Sequence, residues 1–196
     1  MRSIVLEDGG ELLLFEGFLP ADEAARSFDA LMREIPWEQR EIVIMGRRVM
    51  QPRKVAWLGE REAVYTYSGV TNVPVPWTPA LLDLRVRVEE AAGARFNSAL
   101  ANLYRDERDS MGMHADAEKE LGKDPVIASL SLGATRRFQL RHAKRKGVPG
   151  RDLALESGTL LIMRGTTQRF YRHGVPKETR PTGARINLTF RWIHAA

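Results

Sequence analysis

Apolar residues at Ala24, Phe28, Leu31, Met32 and Ile35 recur at helical spacing through ADEAARSFDALMREI, which predicts an amphipathic helix over 21–35. Asp22 and Glu23 favour its first turn, and Pro36 ends it. EIVIMGRRV (41–49) alternates instead, with Gly46 placed for a turn, and predicts a hairpin. Pro74, Pro76 and Pro79 make 70–80 a connector, after which LLDLRVRVEEAAG (81–93) predicts a second helix closed by Gly93. From about residue 95 the period shortens to two. NSALANLY, VIASLSLG, TRRFQLRH, SGTLLIMRG, RFYRH and ARINLTFRWI are brief alternating or apolar runs separated by turn formers. Such a series predicts an antiparallel sandwich or jelly roll, not a βαβ fold. The expected class is α+β, mainly β. An extension over 1–94, with the helices and hairpins, packs as one domain with a β core over 95–196.

Composition narrows the setting. The chain has 196 residues, 43% hydrophobic and 28% charged, enough for a buried core in one domain. No run approaches the roughly 18 apolar residues that cross a bilayer. MRSIVLEDGGELLLF also lacks the pattern of a secretory signal. The expected location is cytoplasmic, with no membrane partner and a monomer as the default. The absence of cysteine excludes disulfides, Cys-ligated zinc, iron–sulfur clusters and thiol nucleophiles.

Charge is segregated along the chain. Residues 136–151 and 164–191 together hold 14 of the 30 Lys and Arg and only Glu178 among the acids, a local +13, against −8 for the remainder. A polyanion-binding face produces this pattern, and so does a solvated basic loop.

Two motifs hold the chemistry. In a strand over ARINLTFR, Arg185, Asn187, Thr189 and Arg191 share one face and Ile186, Leu188 and Phe190 the other. Two guanidiniums on one face suit a dicarboxylate, because each planar fork donates two parallel hydrogen bonds; an exposed edge strand would show the same alternation. In extended chain His114 and Asp116 also point to one side. An H-x-D is commonly a hydrogen-bonded loop pair, and with a further histidine it becomes a facial triad that leaves open positions on Fe(II). Of the four histidines, His142 lies in the basic stretch and His194 at the end, so His173 is the best third ligand.

A strand-borne H-x-D, a distant His, and R-x-N-x-x-x-R beyond it resemble the AlkB family of Fe(II)- and 2-oxoglutarate-dependent dioxygenases, built on a double-stranded β-helix. The similarity runs from about Gln51 to Arg191 and is closest to the branch that repairs alkylated duplex DNA. It is carried by Gln51-Pro52-Arg53-Lys54, Tyr65-Thr66-Tyr67-Ser68-Gly69, Asn102-Leu103-Tyr104-Arg105-Asp106, IASLSLGATRRFQLRH, SGTLLIM and ARINLTFR.

The resemblance implies that His114, Asp116 and His173 bind Fe(II). It implies that Arg185 pairs with the far carboxylate of 2-oxoglutarate, Arg191 with the end that chelates the metal, and that Asn102, Tyr104 and Asn187 hydrogen-bond the same cosubstrate. With O2 as the second cosubstrate, the implied reaction couples decarboxylation to hydroxylation of an N-methyl group on 1-methyladenine or 3-methylcytosine and releases formaldehyde. The base leaves the stack to be reached, and Tyr65, Tyr67, Ser68 and Glu118 match the pocket that receives it. Met45 stands at the hairpin tip where the duplex-DNA branch inserts an aromatic wedge. Arg53, Arg136, Arg137, Arg141, Lys144, Arg145, Lys146 and Arg151 would contact phosphates.

Three departures bear on the substrate: Met45 is not aromatic, Ala117 replaces a carboxylate after the metal-binding Asp, and Lys177-Glu178-Thr179-Arg180 is less basic than the duplex pattern. Demethylation of alkylated DNA is therefore set beside action mainly on RNA or single strands. A binding jelly roll without catalysis would have no reason to keep triad and arginines together.

Overall fold

The chain is described from a computed structural model that covers residues 1–44, 46–67 and 70–194, without the side chains of 42–44, 65–67 and 70–72. Met45 and Ser68 therefore lie outside the described residues, as do the side chains of Tyr65 and Tyr67.

In chain order the elements begin with β1 (Arg2–Val5), β2 (Gly10–Phe15), helix α1 (Ala21–Glu34), the hairpin β3 (Glu41–Ile44) and β4 (Arg47–Met50), and β5 (Lys54–Gly59). A second hairpin, β6 (Tyr65–Tyr67) and β7 (Val70–Asn72), leads to helix α2 (Pro79–Ala92) and β8 (Ser98–Tyr104). Next come β9 (Met111–His114), β10 (Ile127–Gly133), β11 (Arg136–His142), β12 (Arg151–Leu155) and β13 (Thr159–Gly165). A single turn, α3 (Thr167–Phe170), precedes β14 (Tyr171–Val175) and β15 (Arg185–Arg191). The connector expected over 70–80 thus starts with a strand, because 70–72 pairs with 65–67. The run expected as the strand RFYRH opens on the helical turn and becomes extended only at Tyr171.

Both long helices start and stop for local reasons. Asp22 and Glu23 sit in the first turn of α1, where backbone N–H groups lack partners and favour negative charge. Thr78 caps α2 by accepting from the Leu81 N–H, Pro79 fills a position that needs no donor, and Gly93 ends the helix at φ 60°.

The strands form a seven-stranded antiparallel sheet in the order β1-β2-β13-β10-β15-β8-β5 and a four-stranded one in the order β12-β11-β14-β9. This is the double-stranded β-helix, or jelly roll, with two small hairpins and the helices added. Three strands of the larger sheet come from the first 94 residues.

Period-two alternation divides the interior. Ile186, Leu188 and Phe190 of β15, with Leu130 and Leu132 of β10 and Leu160 and Ile162 of β13, pack against Leu31 of α1 and Leu81, Leu84 and Val88 of α2. Each such side chain contributes roughly 1.5–3 kcal/mol on burial. The opposite faces meet the smaller sheet. At one end Leu12, Leu14, Leu161 and Met163 pack on Phe138, Leu140, Leu155 and Tyr171. At the other end the facing residues are polar. Among the described residues no helix is long and apolar enough to cross a membrane.

Candidate active site

The polar end is built from β15 outward. Its inward row Arg185, Asn187, Thr189 and Arg191 is buried throughout. On the neighbouring β10, Ser129 and Ser131 alternate into the same space. Arg185 donates to Ser131 Oγ (2.9 Å), and Asn187 donates to Ser129 Oγ (2.8 Å) and the Leu130 carbonyl (3.2 Å). Thr189 donates to Asn187 Oδ1 at 3.1 Å. On the other side β8 sets Asn102 opposite Asn187 and Tyr104 opposite Arg185, which brings these four expected cosubstrate residues together. Burial pulls the Arg185 guanidinium down to about 10, against the favourable effect of Tyr104 and with Arg136 acting in the same direction as burial. It remains cationic at neutral pH.

β9 and β14 bring the other motif into register. His114 and His173 are cross-strand partners, and their rings lie 4.3 Å apart. The pairing shifts between His173 and Val175, whose partner is Met111, so β9 has one residue more than β14 over this stretch. Such a bulge re-aims side chains. Gly174 lets the strands approach there, since a Cβ on it would stand 2.8 Å from the Met111 carbonyl oxygen. His114 Nδ1 donates to the Gly112 carbonyl at 2.9 Å, which leaves Nε2 with its lone pair. Asp116 follows the strand, and its backbone N–H donates to Oε1 of buried Gln168 at 2.9 Å.

Ligand atoms of His114, Asp116 and His173 all lie within 4.8 Å of one another, a spacing that suits a shared metal ion. Burial opposes charge on Asp116, yet Arg191, His173 and His114 outweigh it and hold the carboxyl below its ordinary pKa. Burial pushes the His173 imidazole down to about 3, with His114 adding to the effect and Asp116 resisting it. At neutral pH Asp116 is therefore a carboxylate and His173 a neutral imidazole. Arg191 Nη2 donates to Asp116 Oδ1 at 2.5 Å.

Several buried polar atoms here have no hydrogen-bond partner among the described residues: Asp116 Oδ2, His173 Nδ1, Arg185 Nε and Nη1, and Arg191 Nε. Buried groups left open in this way are expensive unless something fills them. An acceptor and an imidazole nitrogen at the triad suit a cation, and the guanidinium donors suit an anion. The donor set therefore fits Fe(II) together with 2-oxoglutarate.

Two cavities meet at the triad. The inner one is lined by Asn102, Tyr104, Ser129, Arg185, Asn187 and Thr189, with His173 and Phe138 opposite. The outer one is lined by Arg40, Gln51, Arg53, Trp57, Met111 and Glu118. His114, Asp116 and Arg191 line both. Gln51 Oε1 and Glu118 Oε2 are buried acceptors without a hydrogen-bond partner among the described residues. Glu118 lines the outer cavity, and Gln51, Trp57 and Gln168 are residues of the site that periodicity does not single out.

Two expected phosphate contacts are corrected. Arg53 is buried in the outer cavity wall, donating to Asn102 Oδ1 (2.8 Å) and the Ser110 carbonyl (3.4 Å), so it does not face a phosphate backbone. Arg136 is fully buried, because alternation along β11 turns it inward with Phe138 and Leu140. Other basic residues meet acids from the N-terminal half: Arg145 pairs with Glu7 and Asp8, and Arg164 with Glu11. Arg141 pairs with Asp152. Arg137, Lys144, Lys146 and Arg151 are exposed.

Residues 11–191 match the 2OG-Fe(II) oxygenase superfamily. The chain is 45% identical over 193 residues to the Bos taurus alpha-ketoglutarate-dependent dioxygenase alkB homolog 3, covering 92% of this chain and 65% of that one. To the Mus musculus DNA oxidative demethylase ALKBH2 it is 38% identical over 180 residues, covering 87% and 75%. The solved structure of OsALKBH1 superposes with a TM-score of 0.66 at 20% identity, covering 97% of this chain and 100% of that one, a likeness of fold. The chain spans about 65% of the length of the cattle and human homolog 3 proteins.

Proposed function

The chain belongs to the 2OG-Fe(II) oxygenase superfamily and within it to the AlkB family, and on that premise we propose that it removes alkyl groups oxidatively from ring nitrogens of nucleic-acid bases, DNA first, as a step in alkylation repair. The observation that carries this reading is the junction: a two-His, one-carboxylate triad between an inner cavity of unmatched guanidinium donors and an outer one of unmatched acceptors.

His114, Asp116 and His173 would hold the iron, and Arg185 would take the far carboxylate of 2-oxoglutarate through Nε and Nη1, which have no partner among the described residues. Asn102, Tyr104 and Asn187 hydrogen-bond the same molecule, and Arg191 bridges Asp116 and its near end. With Fe(II) and 2-oxoglutarate bound, O2 would be the oxidant: one oxygen atom would go to succinate as CO2 is lost, and the other to the N-alkyl carbon, a hydroxymethyl group then leaving as formaldehyde. The protein's part is geometric and electrostatic. His114 is fixed in the tautomer that presents Nε2, and Gln168 fixes the backbone of Asp116.

In the outer cavity the Glu118 carboxylate and the Gln51 amide oxygen accept from the exocyclic amino group of a methylated adenine or cytosine. Glu118 also complements the positive charge that N-methylation places on the ring. The family resemblance alone assigns Tyr65, Tyr67 and Ser68 to the extruded base and Met45 to the wedge, since these side chains lie outside the described residues. Arg137, Lys144 and Lys146, all exposed, neutralise phosphates without reading sequence.

The test is product analysis on oligonucleotides carrying 1-methyladenine or 3-methylcytosine, with Fe(II) and 2-oxoglutarate, as duplex DNA, single-stranded DNA and RNA. Formaldehyde and restored base are expected with DNA. Succinate formation without base repair on any of the three would remove nucleic acid as the substrate; repair confined to RNA would move the function there.

A further inference from the structure

Arg136 has no part in the reading above. It is fully buried, and a buried guanidinium is costly unless its donors are matched. Nη1 donates to the Asp106 carbonyl (3.1 Å), and Nη2 to those of Asp109 (2.7 Å) and Pro176 (2.8 Å). Nε lies 3.8 Å from the Glu178 carboxylate, itself a quarter exposed. The three carbonyls belong to two segments that matter. Residues 105–110 join Tyr104, at the end of β8, to β9 and His114; Pro176 directly follows β14, which bears His173. One side chain therefore ties together the exits of a cosubstrate strand and a metal strand.

Its guanidinium carbon also stands 5.5 Å from the centroid of the Tyr104 ring, and that of Arg185 stands 5.2 Å from the same ring. Tyr104 thus has two buried cations about its ring, an arrangement that aromatic electron density favours. Arg185 makes no ion pair with a carboxylate among the described residues, and two of its nitrogens are open. This end of the inner cavity holds two buried positive charges, Arg136 and Arg185; among the described residues the carboxylate paired with Arg136 is Glu178 at the rim, while the Asp109 carboxylate of the same loop is taken by Arg105.

We propose that Arg136 is a positioning residue of the inner cavity, holding Tyr104 and its loop in place and adding a second buried positive charge toward the far carboxylate of a 2-oxo diacid. This rests on the reading of that cavity as the 2-oxoglutarate site. The charge acts through Tyr104 and Arg185, so its effect depends on the far carboxylate being present.

The experiment measures anaerobic binding of two ligands to the Fe(II)-loaded protein by calorimetry: 2-oxoglutarate, and 2-oxopentanoate, which has the same chain length without the far carboxylate. Arg136→Met is expected to weaken 2-oxoglutarate about 30-fold and leave 2-oxopentanoate within about twofold, the size of effect that removing one charge-assisted hydrogen bond produces. Arg136→Lys, which keeps the charge but not the three-carbonyl grip, is expected to weaken the diacid alone, by about fivefold. Should the Met variant fail to fold, the Lys variant decides with the same ligand pair. Unchanged diacid affinity, or equal weakening of both ligands, overturns the assignment and leaves Arg136 a structural staple. Arg185→Gln is run beside them: a selective loss there with none at Arg136 overturns this inference alone, whereas no selective loss at Arg185 overturns the cosubstrate reading.

Discussion

Replacing Arg191 with Met tests how the triad is stabilised before a metal arrives. The Arg191–Asp116 pair is almost fully buried, at 4% and 3% exposure, with 2.5 Å between Nη2 and Oδ1. Arg191 is the strongest of the groups that hold Asp116 ionised against burial. Removing one partner of such a pair leaves an uncompensated buried charge and costs about 3 kcal/mol or more. For a chain of this size that is a drop of about 6–12 °C in melting temperature. The sign in pH follows. With its folded pKa lowered, Asp116 contributes stability above its ordinary pKa of 3.8, lost as pH falls through the folded value. Without Arg191, burial dominates and raises that pKa, so part of the deficit is relieved in mild acid by protonation. A bound divalent cation brings its own countercharge to Asp116, so the deficit in the metal-loaded protein should shrink to about half or less. The assay is thermal melting of wild type and Arg191→Met, each with chelator and with Mn(II). An equal deficit in both states, or none with chelator, refutes the reasoning.

His173 is held at about 3 against an ordinary 6.5, so the unfolded chain takes up a proton that the metal-free fold does not. Stability of the chelated protein should therefore fall as pH drops below about 6.5, by up to about 1.4 kcal/mol per unit from this group; denaturant titrations from pH 7 to 5 should show a shallower slope for His173→Gln. Gln168→Ala leaves the buried Asp116 N–H without its acceptor and should cost about 1–3 kcal/mol, read by denaturant midpoint. Gly174→Ala forces a Cβ to within 2.8 Å of the Met111 oxygen and should part β9 from β14. Its metal affinity should fall about 10-fold in a direct titration, as for other disturbances behind a metal ligand.

What is legible in the sequence depends on whether two faces of an element see different surroundings. β15 alternates because one face meets helices and the other the site, so spacing alone assigns Arg185, Asn187 and Arg191 to one side. β2 gives no such signal, for the opposite reason. Leu12 and Leu14 face one apolar cluster and Leu13 the other, which leaves an unbroken apolar run with no period. β9 is exposed or half-buried, and its Met-Gly-Met run before His114 has no pattern to read. Arg136 shows how composition misleads: the basic run from 136 to 151 suggests a phosphate-facing surface, while the alternation of Phe138 and Leu140 already puts that arginine on the inward face. Gln168 is beyond the reach of spacing, since its value comes from a hydrogen bond with Asp116 across 52 residues.

The strand order has a bearing on how the protein is made. Among the described residues β15 follows every other strand in sequence, yet it lies between β10 and β8 in the larger sheet. Until it emerges from the ribosome, those two strands offer long open hydrogen-bonding edges, a hazard for aggregation during synthesis. The same seven residues that close the sheet also supply both arginines of the site. Closing the larger sheet and setting its arginine row in place are therefore one event, which waits on a segment made after the other strands, and a fragment that stops short of residue 185 lacks both.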